Sequence, residues 1–374
     1  MQIKWMFKFV IFFFLSCFPW ITWSSEWHCM TVDSAGSEQY ALALALDSRG
    51  YPHIVYSKPY FGTMYASWDG STWCVGALSD SLRNLTYKKD GRSSYALIID
   101  NKDYPHIVIS GQYIWKDEDG WHKTDCVAGG YLSIGFDSKG YLHISSDCSG
   151  YEYSYLKYIY QNAQGWHNEC VEALGFNSGT SSIVINDNDI PYIAYNADHT
   201  PTQYGLFLAK RDSVLGWLFE AIIDTVQYAH PSMELDNFDN PHIAYSVIDY
   251  GQHLKYAVKR NEAWHIETVD TLSGASMVSL ALDQDNCPHV SYKGNKYWLK
   301  YAQWDGAWNI EKVDSMFGSG SIFGRPTTSI AVDKEGYAHI AYCQQLVTDI
   351  NNLRYATNRP SPKRAKAYFL KEKK

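Results

Sequence analysis

The body of this sequence is short of positive charge and contains no paired-cysteine motif. Formal charge is −8 over 374 residues; residues 1–25 carry +2 and the segment after Pro360 carries +5, so the stretch between them is near −15. Nucleic-acid binding needs a basic surface, which such a body does not offer. The basic end, 359–374, reads as a solvated tail. Cys17 lies in the leader, which leaves Cys29, Cys74, Cys126, Cys148, Cys170, Cys287 and Cys343. That odd number leaves at least one thiol unpaired, and no spacing of the zinc type occurs among them. Buried strand thiols and disulfides both fit the seven, since an exported chain can form bridges.

Long apolar runs are confined to the start. Lys4 and Lys8 precede a Phe-rich run from Phe9 to Trp23, closed by Ser24 and Ser25. Residues 1–25 therefore read as a secretory signal, with an uncleaved membrane anchor as the alternative. Phe14-Leu-Ser-Cys17 is also a partial lipoprotein motif. The mature chain is expected outside the cytoplasm, whether secreted, periplasmic or at the cell surface, and as a monomer.

What the rest of the chain has is a repeat. Within 278–314 stand four short runs of alternating apolar residues, SLALD, PHVSY, LKYAQ and WNIEKVD. Period two and this β-rich composition predict strands. The unit recurs with a Trp opening its fourth run, at Trp27, Trp73, Trp121, Trp166, Trp217, Trp264 and Trp308, separated by 46, 48, 45, 51, 47 and 44 residues. Four strands at that period predict an all-β, seven-bladed β-propeller over 26–358. The first mature run, Glu26–Asp33, matches only a fourth strand, and the last repeat, 328–356, has only three. The N-terminal strand is thus expected to close the last blade, leaving fewer open edges. The remaining blades are predicted at 40–80, 95–128, 131–173, 181–224, 231–270 and 277–314.

The recurring pair of Asp and His six residues apart invites a catalytic reading. It occurs as Asp47/His53, Asp100/His106, Asp137/His143, Asp236/His242, Asp283/His289 and Asp333/His339, whereas blade four has Asn186 and Tyr192. Both members change together, which suggests that they touch. Six copies around a ring cannot converge on one substrate or one metal ion, so the pair is read as a structural hydrogen bond between carboxylate and imidazole, placed between blades. The seven Trp are read as packing against the neighbouring blade. The Asp-rich first turns, notably Asn186-Asp-Asn-Asp189, are the place where calcium would sit, although no EF-hand spacing is present and turn geometry alone accounts for them. No cofactor or metal is otherwise expected.

Two sets of connections are short and uniform. The loops joining strand two to strand three, and blade to blade, differ in every repeat, and binding usually resides on such a variable face. Candidate ligand-binding residues there are Tyr60, Arg83, Tyr153, His199, His230, Tyr250, His253, Lys296, Trp298 and Arg325. Aromatic faces beside hydrogen-bonding side chains suit sugar rings. No catalytic residue is assigned.

The segments D-x-x-[GDN]-x-P-H-[IV]-x-Y and L-[KR]-Y-A, together with Ser67-Trp-Asp-Gly-Ser-Thr-Trp73, resemble those of secreted bacterial propellers of the sialidase-like, Asp-box (BNR) repeat group. The resemblance covers most of 26–358. It implies the propeller and a relation to glycans, in a group that includes sialidases, polysaccharide lyases and lectins. Sialidases have six blades and an arginine triad. This chain reads as seven-bladed, and its variable face offers only Arg83, Arg92 and Arg325, which argues against that activity. The expected function is non-catalytic recognition of a glycan or another extracellular polymer. The alternatives are a polysaccharide-degrading lyase or glycoside hydrolase, with His199, His230, Tyr250 and Arg325 as candidate groups, and a scaffold for protein partners.

Overall fold

The computed structural model describes residues 26–34, 42–58, 61–78, 82, 95–109, 111–126, 128–149, 154–175, 180–200, 203–222, 230–247, 252–271, 273–316, 328–345 and 351–360. The leader at 1–25 and the tail beyond Pro360 lie outside them. The described residues form seven antiparallel sheets of four strands each, the blades of a propeller. Six blades take consecutive strands in order. The seventh pairs the N-terminal strand His28–Ser34 with Asn351–Thr357, in register from His28↔Thr357 to Ser34↔Asn352. Every blade thereby has its outer strand, as the truncated first and last repeats predict.

Position in the blade sets composition. The second strand is buried on both faces; all seven residues of Pro241–Val247 are buried. That is why the repeat segment is a nearly continuous apolar run there. The fourth strand is outermost and largely exposed, as in Trp73–Ala77. Pro52, Pro105, Pro191, Pro241 and Pro288 each open a second strand, where a missing N–H costs the ladder least.

The first turn is built the same way in all seven blades. Asp47 Oδ1 accepts the N–H groups of Arg49 (3.0 Å) and Tyr51 (2.8 Å), and Asn186 Oδ1 accepts those of Asn188 (3.1 Å) and Ile190 (2.8 Å). The fourth turn residue has positive φ throughout, from 60° at Asp189 to 84° at Gly336, which explains its restriction to Gly, Asp or Asn. Adjacent turns also join: Ser48 N–H donates to Asp103 Oδ1 at 2.7 Å, and Asn186 Nδ2 to Asp239 Oδ2 at 2.8 Å.

The Asp/His pair proves to be part of a triad. The imidazole Nδ1 meets a tyrosine hydroxyl two residues before its cross-strand partner on strand three, at 2.6 Å for both His106–Tyr113 and His289–Tyr301. The same contact joins His53 to Tyr65, His143 to Tyr158, His242 to Tyr256 and His339 to Tyr355. Each of these tyrosines packs edge-on against the Trp of the following blade. Centroids are 5.1 Å apart for Tyr65–Trp121, 5.2 Å for Tyr256–Trp308, 5.0 Å for Tyr301–Trp27 and 5.3 Å for Tyr355–Trp73, the pair that closes the ring. In blade four the third position is Leu208, so all three members change together, and Leu208 and Trp264 share one apolar cluster.

The carboxylate side of the triad is looser than the sequence suggests, and it lies within a blade, not between blades. Nε2 to carboxylate is 3.1 Å in His339–Asp333, 3.3 Å in His289–Asp283 and 3.4 Å in both His242–Asp236 and His106–Asp100. It lengthens to 3.6 Å in His143–Asp137 and 3.8 Å in His53–Asp47, beyond hydrogen-bond range. In blade one the reason is visible: Asp47 Oδ2 is held by Arg49 Nε at 2.9 Å.

Candidate functional site

The first strands of all seven blades enclose a central cavity of ≈ 480 Å³. Their inward N–H groups would be left unpaired, as on any edge strand. Serines resolve this at five junctions. Ser133 Oγ accepts from Ile183 N–H (3.0 Å), Ser182 from Met233 (3.0 Å), Ser232 from Leu280 (2.9 Å), Ser279 from Ile330 (3.2 Å) and Ser329 from Leu44 (3.1 Å). The aligned residues in blades one and two are Ala43 and Ala96, which cannot accept.

At the variable face the second strands end in a position that differs around the ring. Four residues past the His position stand Ser57, Ser110, Asp147, Asn196, Ser246, Lys293 and Cys343. Ser110 is outside the described residues. Asp147 Oδ1 accepts Tyr131 N–H at 2.6 Å, and Asn196 Nδ2 donates to Gly205 O at 3.0 Å. Ser246 is 1% exposed, and among the described residues its hydroxyl has no partner. Its cross-strand neighbour is His230, the first residue of strand His230–Leu235, whose buried Nδ1 is also without a partner among the described residues. His230, Ser246 and Lys293 all line the central cavity.

Burial governs the charge of this wall. It draws His230 down to about 4, so the imidazole is neutral near pH 7. Glu234, on the same strand and the same cavity, is pushed up to about 7. Burial also lowers Lys293, whose ammonium lies 5.2 Å from the centroid of the Tyr297 ring.

Blades five and six form a braced rim at this end. The carbonyl of Gln252 accepts both Ser273 Oγ (3.0 Å) and Ala275 N–H (3.1 Å). Gly274 has φ +61°, and a Cβ there would stand 2.3 Å from Asn295 Oδ1, so a side chain would be strained and would displace Asn295. Gln252, Met277 and Tyr297 also have positive φ, at 45°, 57° and 59°. Left-handed non-glycine residues are uncommon, and here three of them surround one cavity mouth.

Carboxylates at the outer part of the same face are neutralised between blades. Asp270 Oδ2 accepts from the Tyr292 hydroxyl (2.6 Å) and Lys300 Nζ (2.7 Å). Asp33 holds Lys58 at 2.9 Å, and Asp314 holds Arg354 at 3.0 Å. The strongly acidic body therefore does not place bare carboxylates along these seams.

Of the ten candidate residues, Tyr60, Arg83, Tyr153, Tyr250 and Arg325 lie outside the described residues, as do the side chains of His199 and Lys296. His230 is in a strand at the cavity wall, not in a loop. His253 and Trp298 each open a third strand, and Trp298 carries Lys312 Nζ 5.0 Å above its ring. The structural residues Asp47, His53, Asp236, His242, Asp283 and His289 stand on the opposite, uniform-turn side. Ser246 and Lys293 are additions to the sequence reading. Their signal is the residue just after P-H-[IV]-x-Y, which varies where the preceding five scarcely do. Among the described residues no group of three or more His, Cys, Asp or Glu side chains could hold a metal ion. Cys29, Cys74, Cys126, Cys170, Cys287 and Cys343 are free thiols, and the Cys148 side chain is outside the described set.

The chain is a seven-bladed β-propeller. No family model and no curated protein matches its sequence. Among solved structures it is similar to a protein of unknown function from Dyadobacter fermentans, with 10% identity, TM-score 0.52, and coverage of 88% of this chain and 98% of that one. It is similar to a polysaccharide lyase, an ulvan lyase solved with a GlcA–Rha3S repeat, at 13% identity and TM-score 0.55 over 86% and 94% of the two chains. It also resembles the extracellular domain of a putative hybrid two-component system from B. thetaiotaomicron, at 13% identity and TM-score 0.52, spanning 89% of this chain but 40% of that one. At these identities the likeness is one of fold.

Proposed function

We propose that this protein is an exported glycan-binding propeller that takes its ligand at the variable-face mouth of the central cavity. The observation that carries the reading is the pair Ser246 and His230: two buried polar groups, without partners among the described residues, on the wall of a ≈ 480 Å³ cavity. Native interiors rarely leave such groups unpaired, and on a cavity wall they are open to a ligand. Tyr297, which lines the cavity, adds a flat ring that suits the C–H face of a sugar. Polysaccharide lyases among the structural neighbours support the same ligand class.

Lyase chemistry is the second reading. It is favoured by one observation, an imidazole and an ammonium, His230 and Lys293, lining the same cavity. In that reading Lys293 would neutralise an acidic sugar and His230 would move its proton. Affinity electrophoresis of residues 26–374 through gels carrying neutral and acidic polysaccharides separates the two. Retardation with the polymer left intact supports binding alone. A cleared zone after staining supports the lyase, and no retardation on any polymer contradicts both.

A further inference from the structure

We propose that the seam between blades five and six reads a hydroxyl group of an uncharged sugar residue, a site that rests on the glycan-binding reading above. His230 and Ser246 are directly paired across strands one and two of blade five, so their side chains share one face. Ser232, on that same face, reaches Leu280 N–H of blade six, which fixes the direction in which His230 and Ser246 point. Other hydroxyls near the axis have partners: Ser291 meets Thr328 at 2.9 Å and Ser181 meets Ser145 at 2.9 Å. Among the described residues, the Ser246 hydroxyl and His230 Nδ1 are the buried side-chain atoms of the cavity lining that have no partner.

The chemistry of the pair selects its ligand. A serine hydroxyl can donate or accept, and a neutral imidazole does one or the other at Nδ1 according to its tautomer. A ligand hydroxyl satisfies both tautomers, because it too can donate and accept. An anion only accepts, and neither the Ser246 hydroxyl nor the neutral His230 imidazole carries a charge to offset its desolvation. Glu234 shares this wall and is itself driven toward its neutral form. The braced rim holds the geometry, since a side chain at Gly274 would displace Asn295, while Tyr297, 46% exposed, offers a ring on which a pyranose could lie. Pre-set polar groups of this kind reject ligands that leave them unpaired.

The test compares wild type, S246A, H230A and K293M by affinity electrophoresis at pH 7, on laminarin and galactomannan as neutral polymers and on alginate and polygalacturonate as acidic ones. The expected result is retardation by a neutral polymer, weakened at least about tenfold in S246A and H230A. The S246A melting temperature should be unchanged or higher, because the lost hydroxyl bonds to nothing in the free protein. Retardation by acidic polymers alone, abolished in K293M and untouched in S246A, would overturn the hydroxyl-reading site and leave glycan binding standing. Retardation by neutral polymers that is equal in wild type, S246A and H230A would do the same. No retardation by any of the four would overturn both.

Discussion

Glu234 and His230 lie four residues apart on one strand, and burial moves their affinities for protons in opposite directions. Both shifts favour the neutral form. For Glu234, the folded value is raised above the unfolded one, so its contribution to stability is fully present below about pH 4 and is lost as pH rises through about 7. Replacing it with an amide that never ionises removes that loss. Thermal unfolding of E234Q should match wild type near pH 4 and exceed it at pH 8; equal melting temperatures at pH 8 would show that the carboxyl is not desolvated. The triad histidines shift the other way. Burial lowers His53, His106, His143, His242 and His289, with the facing carboxylates opposing it only in part. Their contribution is fully present above the unfolded value of about 6.5 and is lost as pH falls through the lower folded values. Melting temperature should therefore drop steadily below about pH 6.5, and less steeply in H242Q, which has one fewer group to protonate. H242Q should also melt lower at pH 7 while keeping its retardation by polysaccharide, since His242 is on the turn side and not at the cavity mouth.

At the scale of the element, inner-strand serines and interblade aromatic pairs do the joining. Ser232 Oγ satisfies an N–H that would otherwise face the cavity, so S232A should cost about 1 kcal/mol in denaturant unfolding. The converse substitution, A96S, supplies the hydroxyl that blade two lacks and should stabilise by a similar or smaller amount. Trp308 contacts Tyr256 of the preceding blade, and W308A should cost roughly 3 kcal/mol as burial and the edge-on contact are lost together. Strands, turns and blade limits were legible in the sequence because each follows from local chemistry: alternation, Pro at strand starts, and Gly, Asp or Asn where φ is positive. The Asp/His contact was legible from its paired loss in blade four. Its tyrosine partner was not, although Leu208 changes in the same blade, because strand-three spacing varies with the loop before it. The serine ring was obscured for a similar reason. Its members sit inside ordinary apolar strands, and only the ring geometry shows what each hydroxyl reaches.

The whole molecule depends on closure. Strand His28–Ser34 completes blade seven, and Trp27 packs on Tyr301 of blade six. A chain starting at residue 42 would expose the edge of Asn351–Thr357 and lose that contact, so it should unfold at a markedly lower temperature and associate through the open edge. The site is also a property of the whole ring. Loop composition pointed to the variable face, and His230 was read there from sequence. Ser246 and Lys293 were hidden, since both sit at the ends of second strands whose preceding residues are structural. Only the ring brings His230, Ser246 and Lys293 to one cavity.

Hydrogen–deuterium exchange in the presence and absence of a polysaccharide that retards the protein tests the location of the site most directly. The account predicts slowed exchange in 230–232, 245–247, 273–277 and 294–298, with no change in the first turns around Asp47, Asp236 and Asp333. Protection confined to those turns, or to the outer strands, would contradict it.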